Sequence, residues 1–307
     1  MTLIEEIASF LAANIRSAAP IMICATGLVF SAKAGIVNIS AEGMMLIGAV
    51  TAAIGSYVFG SVWAGLILAL FSTMLVSLIF AFFTITLRAD QTVVGMAINI
   101  FGLGMSTTLS RFFFRGDFRG TVDSFQPLQI PLLSDIPILG RALFSQTFPV
   151  YVILIIIPIA FFVMYKTDLG LRIRAVGEHP KTCDTVGINV YRIRYGTVLY
   201  SGLLAGFAGT FVSLGALSLF TEDMVAGRGF MAVAAVVFGG YNPLGVLGAS
   251  MIFGAGDALI FRIQAAGTQI PFQFISMIPY VITILALCGF VGRTHVPTDS
   301  GRPYIKD

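Results

Sequence analysis

Charge is what this sequence has least of. Of 307 residues only 11% are Asp, Glu, Lys or Arg, where soluble domains average about 25%, so the chain cannot clothe a water-facing surface. Cysteine is scarce as well: Cys24, Cys183 and Cys288 stand far apart with no C-x-x-C spacing, which suggests neither a disulfide framework nor a zinc site. Both histidines, His179 and His295, lie outside the apolar runs. With no metal-ligand cluster and no nucleophile–base pair, an intramembrane enzyme has no catalytic group to use. The phosphate-binding pattern G-x-x-x-x-G-K-[ST] is missing and no Gly-Lys pair occurs, so the chain is not itself an ATPase. Glu5 and Glu6 occupy the place of a basic signal-peptide region, and no cleaved targeting segment is expected.

What is present is oil: 57% of the residues are hydrophobic. Residues 43–87, 142–165, 195–221 and 263–292 carry no charge at all. A bilayer core takes about 20 apolar residues per helix, so 43–87 suits two spans. A membrane β-barrel needs alternating polarity in segments of about 10 residues, and these runs do not alternate. The expected fold is all-α, a polytopic membrane bundle forming a single transmembrane domain over 1–307. Nine segments are read: 17–32, 37–58, 62–87, 91–111, 148–165, 195–217, 229–241, 245–261 and 272–292. The seventh and eighth are short, split by a turn at "YNPLG", and read as half-helices or a re-entrant piece.

Lys and Arg set the orientation. Placing 166–194 in the cytoplasm gathers there Lys166, Arg172, Arg174, Lys181, Arg192 and Arg194, with Lys33, Arg88, Arg293, Arg302 and Lys306. Arg16, Arg111, Arg115, Arg119, Arg141, Arg228 and Arg262 fall outside or near that face. The N-terminus is then external and the C-terminus cytoplasmic. Segment 112–147 becomes the outer connection. Its Pro127, Pro131 and Pro137 disfavour a regular helix and its apolar residues suit a folded cap on the membrane surface.

The stretch "LRIRAVGEHPKTCDTVGINVYRIR", Leu171 to Arg194, is the polar exception. Pro180 suits the first position of a helix and Gly187 the left-handed residue just past its end. Between them lie about two turns, on which Cys183 and Val186 share one face and Lys181 and Asp184 another. Gly177 reads as a flexible link ahead of them. The stretch is either a rigid knob for a partner or an amphipathic connector on the lipid surface.

"GLRIRAVGEHPKTCDTVGINV" resembles the coupling segment of ABC-importer permeases of the branched-chain amino acid, simple sugar and nucleoside family. Arg174, Ala175, Val176, Gly177, Glu178, Pro180, Gly187 and Ile188 match its pattern R-A-V-G-E-N-P-x-A-A-x-x-x-G-I. His179 stands where Asn is usual, and Thr182 and Cys183 replace two alanines. "SAKAGIVNISAEGMMLIGA" and "GRGFMAVAAVVFGGYNPLGVLGASMIFG" resemble two further family segments, and the "EGMM" variant with the proline-rich outer segment is most similar to the nucleoside branch. The resemblance implies a type II-like importer permease in a bacterial plasma (inner) membrane. It implies an ATPase subunit contacted by Arg174, Ala175, Gly177, Glu178, His179, Pro180, Lys181, Cys183, Asp184 and Gly187. It implies an extracytoplasmic binding protein and a second permease, a sister chain in the nucleoside branch. ATP and Mg belong to the ATPase; this chain is expected to hold no cofactor or metal and to contact no nucleic acid.

Polar residues within the oil are candidates for a solute path: Asn38, Ser40, Glu42, Gln91 and Asn99. Amides and hydroxyls suit a neutral hydroxylated solute such as a nucleoside or a sugar, and they equally suit polar contacts between helices. Glu42 reads as a path-lining or hinge group, or as a helix-to-helix hydrogen bond. Asp257 raises the same choice, with Arg262 as its expected partner. An ion-coupled secondary transporter would use such intramembrane charges, but it has no need of a cytoplasmic docking knob.

Overall fold

The structure, a computed structural model, describes residues 3–114, 122–129, 140, 143–217, 219–265, 277, 281 and 296–306. The chain opens with α1 (Leu3–Lys33), α2 (Ala41–Phe59) and α3 (Val62–Ala81), the last continuing as a π-helical stretch Phe82–Thr86. Next come α4 (Gln91–Phe114), the strands β1 (Pro127–Gln129) and β2 (Ser145–Thr147), and α5 (Phe148–Lys166). Two short helices follow, α6 (Asp168–Glu178) and α7 (Pro180–Thr185). Then come α8 (Val190–Thr210) with a π-helical continuation Phe211–Leu217, α9 (Arg228–Phe238) and α10 (Pro243–Ala265).

Seven of these helices are long and apolar enough to cross a membrane, and α9 is a shorter apolar one. The chain is a multi-pass membrane protein. Of the ninth expected segment, 272–292, all but residues 277 and 281 lie outside the described residues. Of the two segments expected to be short, only one is: α9 has 11 residues, about 16 Å at 1.5 Å per residue, half the ~30 Å hydrocarbon core. α10 has 23 residues and spans it. The first helix begins well before residue 17, because polar residues end a hydrophobic run without ending a helix. Its first turn carries Glu5 and Glu6 and its last carries Lys33, matching the helix dipole at both ends.

Burial sorts the helices into two layers. The spans of α1, α2 and α8 are 83%, 78% and 78% buried, whereas that of α4 is 28% buried. Three helices therefore form the centre, and α3, α4 and α5 present apolar side chains outward, among them Ile67, Phe71, Ile100, Ile155 and Phe162. Lipid tails are as apolar as these side chains, so shape rather than hydrophobicity holds such helices together. α2 fits between α4 and α8 at glycine contacts. A Cβ on Gly102 would sit 2.5 Å from Gly43 Cα, and one on Gly48 would sit 2.8 Å from Gly206 Cα.

Within the outer connection, β1 and β2 form an antiparallel pair with Pro127 opposite Thr147. Pro127 opens its strand, where a missing N–H is tolerated. Phe125 N–H donates to the Leu214 carbonyl at 2.9 Å, and Trp63, Phe125 and Phe148 form an aromatic cluster. These contacts tie the described part of the segment to the end of the bundle where α2 ends and α3 begins. Residues 130–139, the centre of the expected cap, lie outside the described residues.

Candidate functional site

The five polar residues proposed for a path come together at one place, and they meet because the chain breaks there. Segment 37–58 was expected to be one span, yet residues 34–40 are not helical and α2 starts only at Ala41. Val37 and Ile39 are apolar enough to look helical, but Gly35 sits at φ +86°, a left-handed conformation that favours glycine. Non-helical backbone survives in a membrane only where protein satisfies it, and side chains do so here. Val37 N–H donates to Gln91 Oε1 at 2.7 Å. Asn99 Nδ2 donates to the Ile39 carbonyl at 3.0 Å, while its Oδ1 accepts from Gly43 N–H at 2.8 Å. Asn38 Oδ1 accepts from the Ser40 N–H and hydroxyl, and its Nδ2 donates to Ser201 Oγ at 3.0 Å. Ser201 lies about 16 Å along α8 from Val190 at 1.5 Å per residue. Gln91 Nε2 is buried and has no partner among the described residues.

Glu42 makes the helix-to-helix contact. It is 7% exposed; its Oε1 accepts from Gly227 N–H at 2.9 Å and its Oε2 from Gly229 N–H at 2.7 Å. A carboxylate from α2 thus caps the N-terminus of α9, where unsatisfied amides and the positive end of the dipole favour an anion. Backbone meets backbone here, since a Cβ on Gly229 would lie 2.4 Å from Glu42 N. Asp257 pairs with Arg228 at 3.5 Å rather than with Arg262. Residues five apart on a helix do not face one another, and Arg262 instead donates to the Glu6 carbonyl and Ser9 Oγ.

The polar stretch 166–194 forms three short-range helical pieces at the end of the bundle where α1 ends and α4 begins. Thr167 Oγ1 accepts from Gly170 N–H to cap α6, and Asn189 Oδ1 accepts from Arg192 N–H to cap α8. Between them α7 starts at Pro180, and Gly187 follows it at φ +85°. The ten residues read for a coupling role all lie on α6, α7 or their flanks. Their side chains divide into two sets. Lys181, Thr182, Thr185 and Val186 are exposed. Cys183 is buried against Val176, Val190 and Tyr304. Cys183 and Val186 therefore do not share a face: the helix ends at Thr185, and Val186 at φ −91° and ψ 11° has left helical geometry. Gly177 is no flexible link either. It lies inside α6, and a Cβ there would sit 2.1 Å from the Lys33 carbonyl oxygen.

This division is measurable. Burial pushes the Cys183 thiol upward from its ordinary range, and a protonated thiol is a poor nucleophile. In permease lacking the other two cysteines, Cys183 is expected to react with a maleimide at least about tenfold more slowly than a cysteine placed at Val186. Equal rates would put both side chains on the exposed face.

Sequence reasoning missed the residues that fasten this end. Arg194, only 1% exposed, donates to Asp299 Oδ2 at 2.7 Å and to the Arg302 carbonyl at 3.1 Å. Glu178 Oε2 accepts from Thr298 N–H and Oγ1, and Asp299 N–H donates to the Gly177 carbonyl. Arg194 had counted only as a basic residue for orientation, and no local spacing links it to Asp299. The PTDSG turn residues at 297–301 were the available signal.

Residues 10–287 match the family model described as branched-chain amino acid transport system / permease component. The chain is 40% identical over 319 residues to the guanosine ABC transporter permease protein NupQ of Bacillus subtilis (strain 168), covering 100% of this chain and 99% of the relative. It is 34% identical over 296 residues to the nucleoside ABC transporter permease protein NupC of Lactococcus lactis subsp. cremoris (strain MG1363), covering 94% of this chain and 93% of the relative. A putative glucose ABC transporter permease protein of Haloferax volcanii is 33% identical over 310 residues, again covering 94% and 93%.

Proposed function

The chain belongs to the branched-chain amino acid transport system / permease component family, and on that premise we propose that it is the membrane subunit of a nucleoside importer. The family and the named relatives, guanosine and nucleoside permeases among them, support this reading of the solute. ATP hydrolysis belongs to a separate subunit that holds ATP and Mg. An extracytoplasmic binding protein delivers the solute, and a sister permease completes the pore. Segment 166–194 and both sides of the Arg194–Asp299 contact face the cytoplasm, the 112–147 segment faces outward, and the N-terminus is external.

The observation that carries the mechanism is the rigid α7 knob, exposed on one side and wedged on the other against α6 and α8. A force applied at Lys181, Thr182, Thr185 and Val186 passes into the start of α8 with little compliance. α8 in turn holds Asn38 through Ser201, beside the place where α2 and α9 meet over Glu42. Asn38, Ser40 and Asn99 keep the broken segment in place beside the path, and Gln91 Nε2 offers a buried donor to the passing solute. Neutral amides and hydroxyls suit a nucleoside's many hydrogen-bonding groups without demanding a counter-charge.

Competition for uptake tests the solute class. In cells making this chain with its partner subunits, unlabelled guanosine, adenosine and cytidine should each suppress uptake of a labelled nucleoside, whereas ribose and glucose in large excess should not. Suppression by glucose but by no nucleoside would shift the reading to a simple-sugar permease, the class of the Haloferax volcanii relative's name.

A further inference from the structure

A groove opens on the outer side of the bundle where α5 and α6 come beside the start of α8. On α8 it is lined by Arg192, Ile193, Gly196, Thr197 and Tyr200. Their spacing of i, i+1, i+4, i+5 and i+8 is one stripe about two turns long. Ile159 and Val163 of α5 and Leu169 of α6 line it as well. Ile159 is 55% exposed and Leu169 51%, so the groove is continuous with the apolar surface that faces lipid. Its volume is about 420 Å³. Spread along two turns of helix, that volume makes a slot rather than a bed for a further helix, which is about 10–12 Å across. Gly196 leaves the slot open, since a Cβ there would meet nothing within 4 Å.

One end of the slot is charged. Arg192 is exposed in the first turn of α8. Its backbone N–H donates to Asn189 Oδ1, and among the described residues its guanidinium has no ion-pair partner. Lys166 at the end of α5 and Asp168 and Arg172 of α6 are exposed nearby in the chain, so bases outnumber acid there. Away from that end the lining is apolar except for two hydroxyls, and that of Thr197 already donates to the Arg194 carbonyl.

We propose that this groove is a lipid site, holding one acyl chain of an anionic phospholipid with its phosphate against Arg192. An apolar slot with a base at one end fits a molecule whose anion and hydrocarbon chain are joined. It fits neither a compact polar solute nor a helix. Basic pockets between transmembrane helices take up anionic headgroups, and the planar fork of a guanidinium suits a phosphate. The site follows from the chain's place in a membrane and is independent of the transported solute and of the ATPase.

Photolabelling tests it. Full-length permease in detergent would be mixed with phosphatidylglycerol or phosphatidylcholine carrying a photoreactive group in one acyl chain, and the labelled peptides mapped. In the wild type, label should concentrate on 159–163 and 192–200, with phosphatidylglycerol favoured. Arg192→Gln should lower that preference about fivefold. Gly196→Leu fills the slot and should lower labelling there by both lipids about tenfold or more. Its melting temperature without added lipid should not fall, because leucine is the better helix former. Label spread evenly over the lipid-facing helices of the wild type overturns the proposal whatever the variants do. Wild-type labelling of 192–200 in Gly196→Leu, or an unchanged lipid preference in Arg192→Gln, overturns it as well.

Discussion

Replacing Glu42 with Leu is expected to unfold or disassemble the membrane core. The carboxylate accepts from two backbone amides of α9, and hydrogen bonds to a charged group contribute about 1.5–3 kcal/mol each. Leucine returns neither bond. Water cannot replace them in the hydrocarbon, so the freed amides bear their own desolvation as well. The loss should be about 3–6 kcal/mol, a large part of a typical folding free energy of about 5–15 kcal/mol. Glu42→Gln keeps one acceptor oxygen and should lose roughly half as much. Thermal unfolding of the detergent-purified protein, read alongside uptake, decides the matter. Wild-type melting and uptake in Glu42→Leu would mean that the α2–α9 contact is incidental.

The second large effect is expected at Asp299. Among the described residues Arg194 is the largest fully buried side chain, and its Nε has no partner there. Asp299→Ala leaves its charge buried with only the Arg302 carbonyl, and breaking a buried pair from one side costs about 3–5 kcal/mol. Replacing both ends is different. Arg194→Met combined with Asp299→Leu removes the stranded charge and should recover most of that loss, since apolar replacements of buried pairs are often neutral or stabilising. A double-mutant cycle on melting temperatures measures the difference. Additive losses across the cycle would show that the two side chains do not act as a pair.

How much of this was legible in the sequence depends on the range of the interaction involved. The spans appear as uncharged runs because excluding charge from oil is a local rule. The start of α7 at Pro180 and the left-handed Gly187 beyond it were legible, because both act through their own backbone angles, although the helix ends at Thr185 and leaves Val186 off it. The late start of α2 was not: Val37 and Ile39 have the hydropathy of a span, and only Gln91 and Asn99 from another helix make an open backbone tolerable there. The outward and inward sides of α7 were not legible either. Which face Cys183 takes is set by Tyr304, more than a hundred positions away. For Asp257 the nearest base in sequence was the wrong one, since helical geometry separates Arg262 and tertiary contact supplies Arg228.

The Arg194–Asp299 contact joins positions 105 apart in sequence, and this imposes an order on biosynthesis. Ribosomes add about 5–20 residues per second, so the start of α8 leaves the exit tunnel roughly 5–20 seconds before its counter-ion. During that interval Arg194 must remain in water or on a chaperone, and the hollow around Cys183 must wait for Tyr304. α1 to α5 can all be inserted while the face formed with α6 and α7 is still unfinished. That face becomes whole only when the last stretch of chain folds back across it, so a nascent permease cannot display a finished face before its translation has passed Tyr304.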